Sequence, residues 1–143
     1  MIQITQNSDE TFTLGKNLAT TIHAGDVVTL TGDLGSGKTT FTKGFAEGLG
    51  LKRHITSPTF LIVKTYEVSR FDIAKFYHLD LYRLGSEKEI EEIGILDILG
   101  DFRGVVVIEW ADRMGSLMPR KRIDIQMEYM DEDKRKITIE HKV

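Results

Sequence analysis

Cysteine is absent from the chain. That removes disulfides, thiolate zinc sites and cysteine nucleophiles in one step, and it fits a reducing compartment. No apolar run approaches the roughly 20 residues a membrane span needs. The first residues, Met1-Ile2-Gln3-Ile4-Thr5, lack the basic-then-apolar pattern of a signal peptide. These absences predict a cytosolic protein with no membrane partner. A basic excess is missing too: 19 Lys and Arg face 22 Asp and Glu, for a net charge of −3. A domain that lives on polyanions carries surplus positive charge, so independent nucleic-acid binding is excluded as the main activity. The basic runs Lys52-Arg53-His54, Arg120-Lys121-Arg122 and Lys134-Arg135-Lys136 are short and read as solvated surface. His23, His54, His78 and His141 lack the paired spacing of metal ligands, so surface or core roles are their default. With no repeat, linker or low-complexity stretch, the 143 residues predict a single domain, 1–143, with one layered core.

What is present is an alternation of strand and helix signals. A short strand is expected at Ile2–Thr5. Asn7 then stands where a helix cap would, with Glu10 three residues on to reach back to it. Leu14, Leu18 and Ile22 form one stripe of a helix ending near His23, and Val27-Val28-Thr29-Leu30 is a buried strand. A helix from Lys38 to about Leu49 presents Phe41, Phe45 and Leu49 on one face. Strands are expected at Leu61–Tyr66, Phe76–Leu81 and Val105–Trp110, and a helix start at Ser86-Glu87-Lys88-Glu89-Ile90. Ile123, Ile125, Met127 and Tyr129, then Ile137 and Ile139 after Asp131-Glu132-Asp133, predict a hairpin with one face buried. The expected fold is α/β: a mainly parallel central sheet with added antiparallel strands and helices on both faces.

Between the strand ending at Leu30 and the helix from Lys38 lies Gly32-Asp33-Leu34-Gly35-Ser36-Gly37-Lys38-Thr39, a full match to G-x-x-x-x-G-K-[ST]. Glycines let successive N–H groups converge on phosphate oxygens. The lysine adds a point charge, the threonine hydroxyl suits magnesium, and the helix adds its positive end. Chance would produce the four fixed positions in a chain of this length on the order of once in a hundred. The flanking strand and helix lower that further. A nucleoside triphosphate with magnesium, ATP above all, is the expected ligand.

Such a loop also needs an acid at the end of a neighbouring strand. Glu109 follows Val105-Val106-Val107-Ile108, and Asp80 follows Phe76-Tyr77-His78-Leu79, with His78 interrupting the apolar run. For each the alternative is an ordinary strand-end carboxylate facing solvent. Ser57-Pro58-Thr59-Phe60 sets two hydroxyls beside a fixed turn, as a phosphate-sensing switch or a plain turn.

The loop continued to Thr40-Phe41, then Ser57-Pro58-Thr59-Phe60, His78-Leu79-Asp80-Leu81-Tyr82-Arg83-Leu84 and Ile108-Glu109-Trp110-Ala111-Asp112-Arg113, strongly resemble the TsaE family. These are small bacterial P-loop ATPases needed to make threonylcarbamoyladenosine on tRNA, and the resemblance spans nearly the whole chain. It implies a P-loop NTPase domain in which Gly35, Ser36, Gly37, Lys38, Thr39 and Thr40 wrap the phosphates of ATP. Thr39 and Glu109 would hold Mg2+, with Lys38, Asp80 and Glu109 serving hydrolysis. Ser57 and Thr59 would form the switch-like loop, Trp110 matches the family's functional tryptophan, and Thr11 matches a position near the nucleotide base. The implied partners are TsaB and TsaD, with tRNA met indirectly through that complex. The implied enzyme is a weak ATPase that needs those partners for full activity and activates or resets their transfer reaction. Phe60-Leu61-Ile62 departs mildly from the tyrosine-led version of many members, and Tyr66 to Lys75 matches no motif.

Two other functions use the same loop. A small-molecule kinase needs an acceptor module and an arginine-rich lid, for which this length leaves little room. In a nucleotide-sensing subunit ATP would only order a docking surface, whereas the presence of both Asp80 and Glu109 argues for hydrolysis.

Overall fold

The computed structural model of the chain describes residues 1–51 and 62–143. The run Lys52-Arg53-His54 and the motif Ser57-Pro58-Thr59-Phe60 lie outside the described residues. Among those described, seven strands form one sheet: β1 (Ile2–Thr5), β2 (Val27–Thr31), β3 (Val63–Glu67), β4 (Lys75–Asp80), β5 (Gly104–Glu109), β6 (Arg122–Asp131) and β7 (Lys134–Lys142). Their order is β1-β7-β6-β2-β5-β4-β3. The helices are α1 (Ser8–Thr21), α2 (Lys38–Gly48), α3 (Glu87–Glu92) and α4 (Ile95–Leu99), with a 3-10 segment at Ala111–Leu117.

The central strands are parallel and the antiparallel ones are added at the two edges, as expected. β6, β2, β5 and β4 run parallel, while β1 on β7, β7 on β6 and β3 on β4 are antiparallel. Connection length decides this. A parallel return needs a crossover of a dozen or more residues. The β6–β7 turn is only Glu132-Asp133, with Glu132 at φ 49, and β3 reaches β4 through residues 68–74.

Alternation along the strands separates two apolar layers. Val28 and Leu30 of β2, with Val105 and Val107 of β5, pack against Leu14 of α1 and Phe41 and Phe45 of α2. On the opposite face Val27, Val106 and Ile108 pack with Ile90 of α3 and Ile95 of α4. The hairpin buries Ile123, Ile125, Met127, Ile137 and Ile139 on the α1–α2 side. Tyr129, expected to continue that stripe, is instead 60% exposed near the turn, its ring 4.8 Å from the Arg135 guanidinium.

Asn7 caps α1, its Oδ1 accepting from the Glu10 N–H at 2.9 Å. Glu10 reaches back one residue further than expected, accepting from the N–H of Gln6 at 3.0 Å. The helix ends at Thr21, with Ile22 extended and buried. The motif-free segment before β4 secures that end. Arg70 donates to the carbonyls of Ala19 and Ile22 at 2.8 and 2.6 Å, and Asp72 accepts from the N–H of Ala24 at 3.3 Å. Glycines bring α1 and α2 together so closely that a Cβ on Gly44 would stand 1.9 Å from the Phe12 carbonyl. The result holds the start of α2 against α1 and above the ends of β2, β5 and β4.

Candidate functional site

The glycine-rich loop joins the end of β2 to the start of α2, as its strand and helix signals require. Gly32 has φ 152, and a Cβ there would meet the Met127 carbonyl at 2.4 Å. Gly37, at φ 100, forms the left-handed N-cap of α2 with no side-chain cap bond. That bare helix start leaves its N–H groups for an anion rather than for a capping side chain. The loop from Asp33 to Thr40 lines an open cleft of about 320 Å3 together with Asp80, Glu109, Trp110 and Arg135. Gly35, Ser36, Gly37, Lys38, Thr39 and Thr40 thus all meet in one place. Thr39 is exposed to the cleft, and Ser36 is buried with no hydrogen-bond partner for its hydroxyl among the described residues.

Lys38 is nearly buried, at 7% exposure. Its ammonium donates to the carbonyls of Gly32 and, at 3.2 Å, Asp33, and lies 4.8 Å from the centre of the Trp110 ring. Burial pulls its pKa below the ordinary lysine value, with the carboxylates of Glu109, Asp80, Asp33 and Asp112 opposing the shift. The cation is folded back onto the loop that surrounds it.

Asp80 and Glu109 end the adjacent parallel strands β4 and β5 in direct register. Both are buried, at 5% and 3% exposure, which excludes the solvent-facing alternative for either. Neighbouring strands stand about 4.8 Å apart, so the two carboxylates are side by side, with the Lys38 ammonium near enough to feel the charge of both. Asp80 accepts from the N–H of Tyr82 at 3.0 Å. Glu109 Oε2 lies 2.7 Å from Nε2 of His78. Among the described residues no three His, Cys, Asp or Glu side chains are grouped to hold a metal alone. The donor set here is two carboxylates and the Thr39 hydroxyl, all oxygen, which suits a hard cation such as magnesium that keeps water and phosphate ligands.

Trp110 adopts a left-handed backbone conformation, φ 59, rare for a bulky residue. Its ring meets Tyr82 at 4.9 Å, and the Arg113 guanidinium lies over both, at 5.5 Å from Tyr82 and 5.9 Å from Trp110. The two motifs around Asp80 and Glu109 are thereby joined through a tilted ring contact beside the cleft that Trp110 lines.

Thr11 lines a separate, small cleft of about 40 Å3 with Gly37, Thr40 and Arg135. Its hydroxyl is engaged by that of Thr5 at 2.7 Å, so it can offer a ligand its methyl group. Ser57 and Thr59 are among the residues not described. Arg135 escapes sequence reasoning, because it sits in a short basic run like any surface run. It lines both clefts, and its guanidinium lies 4.8 Å from the Tyr129 ring, with Nη1 donating to the Glu132 and Lys134 carbonyls. His78 escapes it as well, since a lone histidine in an apolar strand carries no partner signal.

The family model described as "Threonylcarbamoyl adenosine biosynthesis protein TsaE" matches residues 5–137. The tRNA threonylcarbamoyladenosine biosynthesis protein TsaE of Bacillus subtilis is 45% identical over 134 residues, covering 94% of this chain and 81% of the relative. The protein of the same name from Treponema pallidum is 35% identical over 136 residues, covering 95% and 97%. Among solved structures, that of Bacillus subtilis YdiB superposes with a TM-score of 0.79 at 38% identity, covering 100% of this chain and 85% of the other.

Proposed function

The chain belongs to the TsaE family, and from that premise we propose that it is the ATP-binding and ATP-hydrolysing component of the tRNA threonylcarbamoyladenosine machinery, acting with TsaB and TsaD. The observation that carries this reading is the meeting of the glycine-rich loop, Lys38 and a buried Asp80–Glu109 pair in one cleft. A module that only sensed nucleotide would need the loop and one acid for its magnesium; a second buried carboxylate beside that one favours hydrolysis. The domain is a P-loop NTPase fold in this reading, since strand, loop and helix follow in the order the phosphate site needs.

Loop N–H groups, the Ser36 hydroxyl and Lys38 bind the phosphates of ATP. The Thr39 hydroxyl and Glu109 hold magnesium, and Asp80 supplies the second acid for hydrolysis. The metal, when bound, neutralises phosphate charge. Arg135 adds a second cation at the cleft wall, where it can offset charge on the nucleotide. Thr11 bounds the small cleft on the far side of Gly37, a place for the base. Trp110, Ser57 and Thr59 belong to the switch or partner surface. Lys38 must leave the Gly32 and Asp33 carbonyls and the Trp110 ring to reach a phosphate. That cost supports slow turnover alone and faster turnover with partners. The enzyme works in the cytosol and meets tRNA through the complex. Among the described residues no helix is long and apolar enough to cross a membrane.

The test is phosphate release from ATP with magnesium, measured alone and with TsaB and TsaD. Release is expected in both, faster with the partners, and its absence from both would refute the proposal. Phosphate appearing on an added metabolite would favour a kinase. Lys38→Ala is expected to abolish tRNA modification in a reconstituted reaction; unchanged modification would make the loop structural only.

A further inference from the structure

We infer that His78 is a positioning residue for the metal-side carboxylate: its Nε2–H holds Oε2 of Glu109 and so presents the other oxygen to the cleft. This deepens, and rests on, the reading of Glu109 as a magnesium ligand.

Phe76, His78 and Asp80 alternate along β4 with Tyr77 and Leu79, which pack on the other face. Register pairs them with Val105, Val107 and Glu109 of β5, on the α1–α2 side. Moving up these two strands, the first row is apolar, the second is His78 beside Val107, and the third is the carboxylate pair. His78 is therefore the one polar residue between the core and the two acids on these strands. Its ring lies parallel to Phe76, 9° apart with centroids at 6.1 Å, which limits rotation of the imidazole. From there Nε2 reaches diagonally to Oε2 of Glu109 at 2.7 Å, both side chains at 4% exposure or less.

The chemistry sets the direction of that bond. A carboxylate only accepts, so Nε2 must carry hydrogen. A hydrogen bond to a charged carboxylate in a water-poor site is strong, and it holds one of the two oxygens. Glu109 would otherwise choose among rotamers while facing Asp80. Outer partners of this kind orient a metal's ligands, and losing one typically lowers metal affinity about 10- to 100-fold. A purely structural role would ask only for an apolar side chain packed on Phe76.

Amide substitutions separate the two roles, because the Gln amide nitrogen overlays Nε2 whereas that of Asn overlays Nδ1. Trp110, the one tryptophan, reports on the cleft by its fluorescence. The full chain would be titrated with magnesium chloride in the presence of a non-hydrolysable ATP analogue, and with the analogue in EDTA. His78→Asn and His78→Leu are expected to raise the half-saturating magnesium concentration about 10-fold or more, and His78→Gln to stay within about 3-fold of wild type. Affinity for the analogue in EDTA should be the same in all. If His78→Leu does not fold, the Asn and Gln pair carries the comparison. Equal magnesium dependence in wild type and His78→Asn would overturn the inference, as would an equal loss of affinity with and without magnesium. Wild type failing to bind the analogue at all would instead refute the nucleotide reading, and the two failures are distinct.

Discussion

Gly44→Ala tests how the fold aligns the glycine-rich loop. A Cβ at this position would stand 1.9 Å from the Phe12 carbonyl oxygen and 2.7 Å from its carbon. The contact is reciprocal along the helix pair, since a Cβ on Gly15 would meet the Phe41 carbonyl at 2.2 Å and one on Gly48 the Lys16 carbonyl at 2.4 Å. Carbon and oxygen sit no closer than about 3.3 Å in favourable contacts, so the helices must separate by about 1.4 Å at this point. The obstacle is backbone, not the end of a mobile side chain, and moving it unpacks Leu14, Phe41 and Phe45. Overpacking costs about 1–3 kcal/mol even where side chains can yield, and more where they cannot. Alanine returns about 1 kcal/mol of helix propensity. The net expectation is a loss of about 2 kcal/mol in urea unfolding, or roughly 6–8 °C in Tm at this chain length. Nucleotide affinity should fall too, because α1 carries Thr11 and α2 begins at the loop. Gly25→Ala is the control: its φ is 91 but its surroundings are open, so only the left-handed backbone cost of about 1 kcal/mol applies. A Gly44→Ala protein as stable as wild type would refute the close helix approach and the account of loop placement built on it.

Removing the cap of α1 by Asn7→Ala should cost about 1 kcal/mol, read as a lower Tm and faster amide exchange at Glu10; an unchanged Tm would refute the cap. Tyr77 donates to Asp101 at 2.6 Å, and burial, that hydrogen bond and the Asp101 charge push its pKa up to about 12 from 10.0. Between those values the folded chain keeps a proton that the unfolded chain has lost. Stability is therefore expected to fall as pH rises across that window. Tyr77→Phe should flatten this alkaline decline in urea titrations, and an identical slope in the variant would count against the pairing.

Local chemistry makes much of this protein legible in its sequence. The loop from Gly32 to Thr39 is contiguous, and its meaning depends on flanking elements that β-branched residues and a helical apolar stripe announce. The strand at Ile2–Thr5 and the Asn7 cap are readable from local residue types for the same reason. Two elements are not. The short helix at Ile95–Leu99 and the 3-10 segment at Ala111–Leu117 owe their form to burial of Ile95, Ala111 and Met114 rather than to periodicity. Both are too short to show a repeat.

The balance of parallel and antiparallel strands is decided by which strands neighbour which. No local signal states that β6 lies beside β2, and that placement brings Met127 and, through β7, Arg135 against the glycine loop. In the sequence Arg135 is one member of a solvated-looking triplet; in the fold it lines the cleft. His78 and Glu109 are 31 positions apart, and each alone is an acid or a histidine in an apolar strand. Sequence by itself determined the glycine-rich loop, the family and the two candidate acids, because those follow from residue type and near neighbours. Only tertiary structure decided that the acids are buried side by side, that Lys38 rests on its own loop under Trp110, and that a histidine one pleat below holds Glu109. Those facts depend on strand register, and register follows from how distant segments pack.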